Sequence, residues 1–400
     1  MPVRYMGTKR FLAARVRSIV DDLKPVGPVV DLFSGMGSFA EALAPRWAVV
    51  TNDFLHFTSV FGRCRFLEGA RTTREEIAGL VQDAYVSHVE TLQLAYRAQL
   101  AAEQKAIEGK SAALRGYLKE AAHVGNSQWR KRAARESSKA STSKMKYRLA
   151  TLYFSAGYFS LRQAIQLDAL RLAIDNELSG ADWDWAIAAW LASASSVVNS
   201  PGHTAQFLKP TSAGMTKRIQ KSWSQDVWDT FESRLDKLKP VGTAAWRRRN
   251  RVSAQEALTF LKASEPDSLG AVYADPPYTS DHYSRYYHVY ETLYQYDFPA
   301  STGEGRYRNQ RAVTEFSIKT RVEQAFEELA DSVADLSVPL VLSYPDNGLL
   351  IEAGGDLVGL LNQHFSDVEV VSIPREHSTM GASSGTSTKS ATENLYVCAA

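Results

Sequence analysis

Cysteine is nearly missing from this 400-residue sequence, which holds only Cys64 and Cys398. Two thiols cannot build a disulfide framework or a metal cluster. Both are expected to be buried in a reducing cytoplasm. Long hydrophobic runs are missing too: the longest apolar stretches, such as 269–274, are far too short to cross a bilayer. No membrane association is therefore expected. No charged-then-apolar leader opens the chain, so a cytoplasmic location is expected rather than secretion. No spacing of His, Cys and acids suggests a metal, and no internal repeat is present. Net charge is small, at +2. Hydrophobic residues make up 44% of the chain. At this length that is enough for more than one core, and two domains are expected.

The small net charge hides an uneven distribution. From Lys110 to Arg148 there are eleven Lys or Arg against two acids, leaving the rest of the chain net acidic. Arg130, Lys131, Arg132 and Arg135 lie beside Trp129, and Trp246-Arg247-Arg248-Arg249 repeats the theme. A positive strip with an aromatic at its edge suits a phosphate backbone, although a solvated helix face is the commoner origin of such runs.

An apolar run, Ala271-Val-Tyr-Ala274, leads straight into Asp275-Pro276-Pro277-Tyr278. Two prolines stiffen the turn and remove backbone donors, which leaves the carbonyl between them as an outward acceptor. The Asp275 carboxylate is a second acceptor, and Tyr278 offers a ring for a flat base. Two acceptors and a π-face make a receptor for an aromatic amine. A strand-ending Pro-Pro turn without chemistry is the alternative.

Near the other end, Val29-Val-Asp31-Leu-Phe33-Ser34-Gly35-Met-Gly37 is an apolar strand entering a glycine-bearing turn before a helix. Glycines there permit close backbone approach to a ligand, and a helix N-terminus adds a favourable dipole. A third glycine is missing, so this is not the full dinucleotide fingerprint. A second strand follows and ends in Asn52-Asp53. An acid at that place accepts hydrogen bonds from a ribose diol. A nicotinamide or an adenosyl-sulfonium cofactor would both satisfy these residues. Ahead of the first strand lies Arg4-Tyr5-Met6-Gly7-Thr8-Lys9-Arg10, where an aromatic and a cation could cover a cofactor and pair with its carboxylate.

Through these motifs the chain resembles the Dam-like DNA adenine methylases, in which the glycine motif precedes Asp-Pro-Pro-Tyr. Tyr5, Gly7, Thr8 and Lys9 match that family's opening segment. Asp31, Phe33, Gly35 and Gly37 match its glycine motif, and Asn52 and Asp53 match its Asn-Asp pair. The similarity extends to His288-x-Tyr290-Glu291-x-Leu293 and to Leu340–Tyr344, and covers about half the chain, 1–66 and 250–400.

The resemblance implies an α/β, Rossmann-like, S-adenosylmethionine-dependent methyltransferase fold with a mostly helical inserted domain. It implies a catalytic domain of 1–66 with 250–400 and a target-recognition insertion at 67–249. Asp275, Pro276, Pro277 and Tyr278 are the implied catalytic residues. The cofactor would be held by Tyr5, Met6, Gly7, Lys9, Asp31, Phe33, Ser34, Gly35, Gly37, Asp53, Glu256 and Asp275. Glu256, with Gln255 beside it, stands loosely where the family carries an acid after its third strand. Implied DNA contacts are Arg130, Lys131, Arg132, Arg135, His203, Arg247 and Arg248. The implied reaction is direct methyl transfer to N6 of a flipped adenine in double-stranded DNA, without a metal. A cognate restriction endonuclease is a possible partner. Cytosine N4, an RNA adenine, or a catalytically silent DNA-binding regulator are the rival readings; a nicotinamide dehydrogenase is more distant.

Periodicity completes the map. Long helices are expected over 70–180, with a break at Gly125-Asn126-Ser127, and another over Asp182–Ala194. Ser200–Gln206 reads as a loop. Trp223, Val227, Phe231 and Leu235 are placed on one amphipathic helix. Tyr283, Tyr286, Tyr287 and Tyr290 would line the pocket or pack as a helix on the sheet edge. Strands are expected at 339–344, 368–373 and 394–399, and Ser378–Ser390 as a mobile loop.

Overall fold

A computed structural model describes residue 3 and residues 10–69, 72–121, 147–378 and 388–399. The described residues form two compact units, one of 63–240 with 284–311 and the other of 10–62, 241–283 and 312–399. The break at Gly125–Ser127 and most of the expected loop at 378–390 lie outside the described residues.

The second unit is a mixed α/β layer around a seven-stranded sheet of order β3-β2-β1-β4-β7-β9-β8. Its strands are β1 (Val29–Asp31), β2 (Val49–Asn52), β3 (Arg251–Ser253), β4 (Ala271–Ala274), β7 (Leu340–Pro345), β8 (Asp367–Ser378) and β9 (Thr388–Ala399). β5 (Ser301–Thr302) and β6 (Tyr307–Arg308) form a separate antiparallel pair in the first unit. Pairing is parallel from β3 through β7, and β9 joins β7 and β8 antiparallel. β1, β2, β4 and β7 are buried along their whole length. That burial explains their unbroken apolar character, since a parallel strand covered on both faces has no solvent side to make polar. Val30, Val272, Leu340 and Leu342 continue into the helix Val322–Asp335 through Phe326, Leu329 and Val333 in one core.

Glycine is required where β1 and β4 begin. A Cβ on Gly270 would lie 2.9 Å from the backbone of Gly27, so the two chain segments approach this closely only without side chains. Gly270 N donates to Pro28 O at 2.8 Å and sets the strands side by side.

The first unit is helical. Leu161–Glu177 and Gly180–Val197 are buried on nearly every side, as expected of central helices, and Arg74–Ala95 packs on the former. Asp168, fully buried, accepts from the Ala150 and Thr151 amides at 2.8 Å each and from the Tyr296 hydroxyl. Burial pushes its carboxyl up to about 6, against the pull of those donors.

Two expectations change. The single helix through Trp223 and Leu235 is two helices, Ala213–Trp223 and Val227–Lys237. Asp226 separates them by accepting from the Trp228 and Asp229 amides at 2.8 and 3.2 Å, a cap that starts a new helix. Second, Tyr287 and Tyr290 are core residues of the helical unit, at 0% and 2% exposure.

Candidate active site

The site is built where three parallel strands end together. In register, Asp31 at the end of β1 faces Thr51 of β2 on one side and Tyr273 of β4 on the other. The residues that follow these strands, Leu32–Gly37, Asp53 and Asp275–Tyr278, therefore emerge at one edge of the sheet. β1 is also the point from which the chain order runs outward in both directions, the place where open α/β sheets form a crevice.

The glycine turn is held by its neighbours. Ser34 N donates to Asn52 O at 2.9 Å and Gly37 N to Ser34 O at 2.7 Å. Gly35 and Gly37 adopt positive φ of 48° and 70°, which side-chain-bearing residues rarely take. Gly37 then precedes the helix Ser38–Leu43. Asp53 Oδ2 accepts from Gly35 N at 2.8 Å, and its Oδ1 accepts from Leu55 N at 2.9 Å. One carboxylate thus joins the tip of β2 to the turn after β1.

Asn52 was read from the sequence only as part of a matched pair, and the structure gives it more to do. Its amide donates to Leu32 O at 3.2 Å and Gln255 O at 3.1 Å, and its oxygen accepts from Gln255 N at 3.1 Å. It ties the ends of β1, β2 and β3 together while being completely buried. A polar residue closing an apolar strand is the only trace of this in the sequence. Glu256 serves as N-cap of the helix Ala257–Lys262, accepting from Thr259 N at 3.0 Å.

In Asp275–Tyr278 both prolines are buried, whereas Asp275 and Tyr278 are half-buried. Leu349 N donates to Tyr278 O at 2.9 Å, and the Tyr278 side chain packs against the sheet core. The turn is anchored through Tyr278, with Asp275 half-buried at its start. Phe33, also half-buried, meets Phe316 edge-on at 5.4 Å.

Three carboxyl groups lie within electrostatic reach of one another here. Asp31 is pushed up to about 8 from an ordinary 3.8, chiefly by burial. The Ala40 amide, donating at 3.3 Å, opposes that rise, while Asp275 and Asp53 add to it. The Asp53 and Asp275 carboxylates that favour this proton on Asp31 also favour a ligand bearing positive charge. The raised value also has a sign for stability. The native state binds the extra proton from about pH 4 to about pH 8, so Asp31 weakens the fold progressively as pH rises through that window. Asp31→Asn should therefore melt close to wild type near pH 4 and increasingly above it toward pH 8. A difference in melting temperature that does not vary with pH would overturn the assignment.

Tyr5, Met6, Gly7, Thr8 and Lys9 lie outside the described residues, as do Arg130, Lys131, Arg132 and Arg135. His203 belongs to the helical unit, where its Nδ1 accepts from Ala205 N at 3.2 Å and its ring meets Tyr286 at 5.1 Å. Arg247 donates to Val241 O at 3.2 Å and Gly242 O at 2.8 Å, while Arg248 is exposed. Trp246 is not the edge of a basic strip: it is 1% exposed and its indole N–H donates to Trp47 O.

Both cysteines are buried, and burial pushes the Cys398 thiol up to about 12. Among the described residues, no group of three or more His, Cys, Asp or Glu is arranged to hold a metal ion. No helix among them is long and apolar enough to cross a membrane.

No family model matches the chain. It is 22% identical over 333 residues to Modification methylase LlaI of Lactococcus lactis subsp. lactis. The match covers 82% of this chain but 44% of that protein, so the chain spans less than half the length of the curated relative. Over most of its own length, the chain is similar to a modification methylase.

Proposed function

We propose that this chain is an S-adenosylmethionine-dependent methyltransferase that modifies adenine N6 in double-stranded DNA. The observation that carries the proposal is the meeting of Asp275–Tyr278 with the glycine turn and Asp53 at one edge of the sheet. Those two motifs are more than two hundred residues apart in sequence. The strand order, with five parallel strands followed by an antiparallel pair, supports a Rossmann-like methyltransferase fold. Similarity to a modification methylase supports the same class.

The residues present fit the cofactor. S-adenosylmethionine carries a sulfonium and an ammonium, and the field of Asp53 and Asp275, which already holds the proton on Asp31, suits both. Asp53 would accept from the ribose, Gly35 and Gly37 would admit close approach, and Phe33 and Ser34 would line the turn. Tyr5, Met6, Gly7 and Lys9 would complete the site, with Glu256 at its margin. When bound, the cofactor supplies the methyl group.

The chain's own task is to prepare the amine. An exocyclic amino group on a base is a poor nucleophile because its lone pair is delocalised into the ring. The Asp275 carboxylate and the Pro276 carbonyl would each accept a hydrogen bond from one of its two N–H groups and draw the nitrogen toward tetrahedral geometry. Tyr278 would stack the base, and Pro277 would keep the turn rigid. Positioning and electrostatics then supply the catalysis. The base must leave the duplex to reach such a turn. Within this reading, 67–249 is a target-recognition insertion, and His203, Arg247, Arg248 and the basic residues Arg130, Lys131, Arg132 and Arg135 contact DNA. A restriction endonuclease is a natural companion for such an activity.

The test is incubation of the protein with unmethylated duplex DNA and methyl-labelled S-adenosylmethionine, followed by digestion and separation of nucleosides. Label in N6-methyldeoxyadenosine is expected. Label in a cytosine derivative would retain the mechanism and change the base. No label in DNA would overturn the proposal and turn attention to RNA.

A further inference from the structure

Three guanidinium groups that no motif singled out converge in the helical unit. The pair β5–β6 projects Tyr307, whose hydroxyl donates to Ala205 O. Arg285 lies 5.7 Å and Arg311 5.0 Å from the centroid of the Tyr307 ring. The His288 ring stands 4.7 Å from the same ring. Arg306, 6% exposed, is fixed behind them by donation to Tyr153 O and Ser155 O.

The arrangement concentrates positive charge. His288 is fully buried, with Nε2 at 2.8 Å from Thr204 O and 3.1 Å from Tyr158 Oη. It is driven down to about 3, first by burial and then by the fields of Arg311, Arg306 and Arg285. The imidazole therefore stays neutral and adds no further repulsion. Asp297 contacts Arg308, and Glu304, which pairs with Lys209 at 2.7 Å, also acts on Arg306. Arg285 is exposed and Arg311 half-buried, so both reach solvent. Guanidinium forks suit phosphate oxygens better than ammonium groups do.

We propose that Arg285 and Arg311, braced on Tyr307, form a clamp for a phosphodiester of duplex DNA. The clamp rests on the proposed action on duplex DNA and adds a site outside the basic stretch at 110–148. It is independent of base sequence, because phosphates carry none.

The test uses a short mixed-sequence duplex with a fluorescent label, titrated with the full chain across a KCl series. Arg285→Gln/Arg311→Gln should lower the slope of log affinity against log salt by about 2, one phosphate contact for each arginine. Arg285→Lys/Arg311→Lys should keep most of the slope, because the charge remains. Equal slopes for wild type and the glutamine variant, at matched melting temperature, would overturn the clamp alone. A lysine variant as weakened as the glutamine variant would also overturn it, since packing rather than charge would then be responsible. Absence of duplex binding by wild type would overturn both the clamp and the DNA reading.

Discussion

Asp275→Ala should reduce methyl transfer by about a thousandfold or more, a loss on the order of 4 kcal/mol of transition-state stabilisation. The carboxylate is half-buried at the end of β4, with two buried prolines behind it. Its removal should leave little cavity and little change in fold. Duplex affinity should be largely retained, because the phosphate contacts lie on other residues. The electrostatics add a second readout. Asp275 is one of the two neighbouring acids that raise Asp31, so its removal should lower the Asp31 pKa and shift the pH dependence of stability toward acid. Label incorporation under single-turnover conditions measures the first effect, and melting curves across pH measure the second. Activity within tenfold of wild type would remove Asp275 from the mechanism. Loss of activity without the pH shift would separate its chemistry from its field.

The second large effect is expected on cofactor binding. Asp53→Ala should weaken binding of S-adenosylmethionine about a hundredfold, or about 2.7 kcal/mol. Two causes act together. The ribose loses its acceptor, and the Gly35 and Leu55 amides lose the carboxylate that holds the turn in place. Each buried donor left without a partner costs about 1–3 kcal/mol, so the melting temperature should also fall. Asp53→Asn keeps one acceptor oxygen and should restore part of the stability but little of the affinity. Calorimetry with S-adenosylhomocysteine reads affinity without turnover. Unaltered affinity in the alanine variant would break the ribose assignment, whatever its stability.

Much of the candidate-site geometry was legible in the chain. Val29–Asp31 and Ala271–Ala274 announce buried strands by composition, and the glycines at 35 and 37 announce a turn of unusual φ. Both acids that close the site, Asp53 and Asp275, stand at strand ends where a local pattern reveals them. The short helices were less legible. The expected helix through Trp223 and Leu235 ignored Asp226, because apolar spacing continues across the break while the cap interrupts the backbone. Trp246 had the composition of a phosphate-binding edge, yet burial assigns it to the core.

By itself, then, the sequence determined the elements and the residue types at their ends: apolar strands, the glycine turn, the rigid Asp-Pro-Pro-Tyr turn, and the terminal acids. Those features depend on neighbours along the chain, where steric limits and periodicity act. Tertiary structure alone decided which ends meet. It placed β1 against β4, put Asn52 in contact with Gln255 across 203 positions, and brought Asp31, Asp53 and Asp275 close enough to change one proton affinity. It also gathered Arg285 and Arg311 on Tyr307. Coulomb energies and hydrogen bonds depend on separation in space, and distant residues acquire a fixed separation only when the sheet and the helices pack.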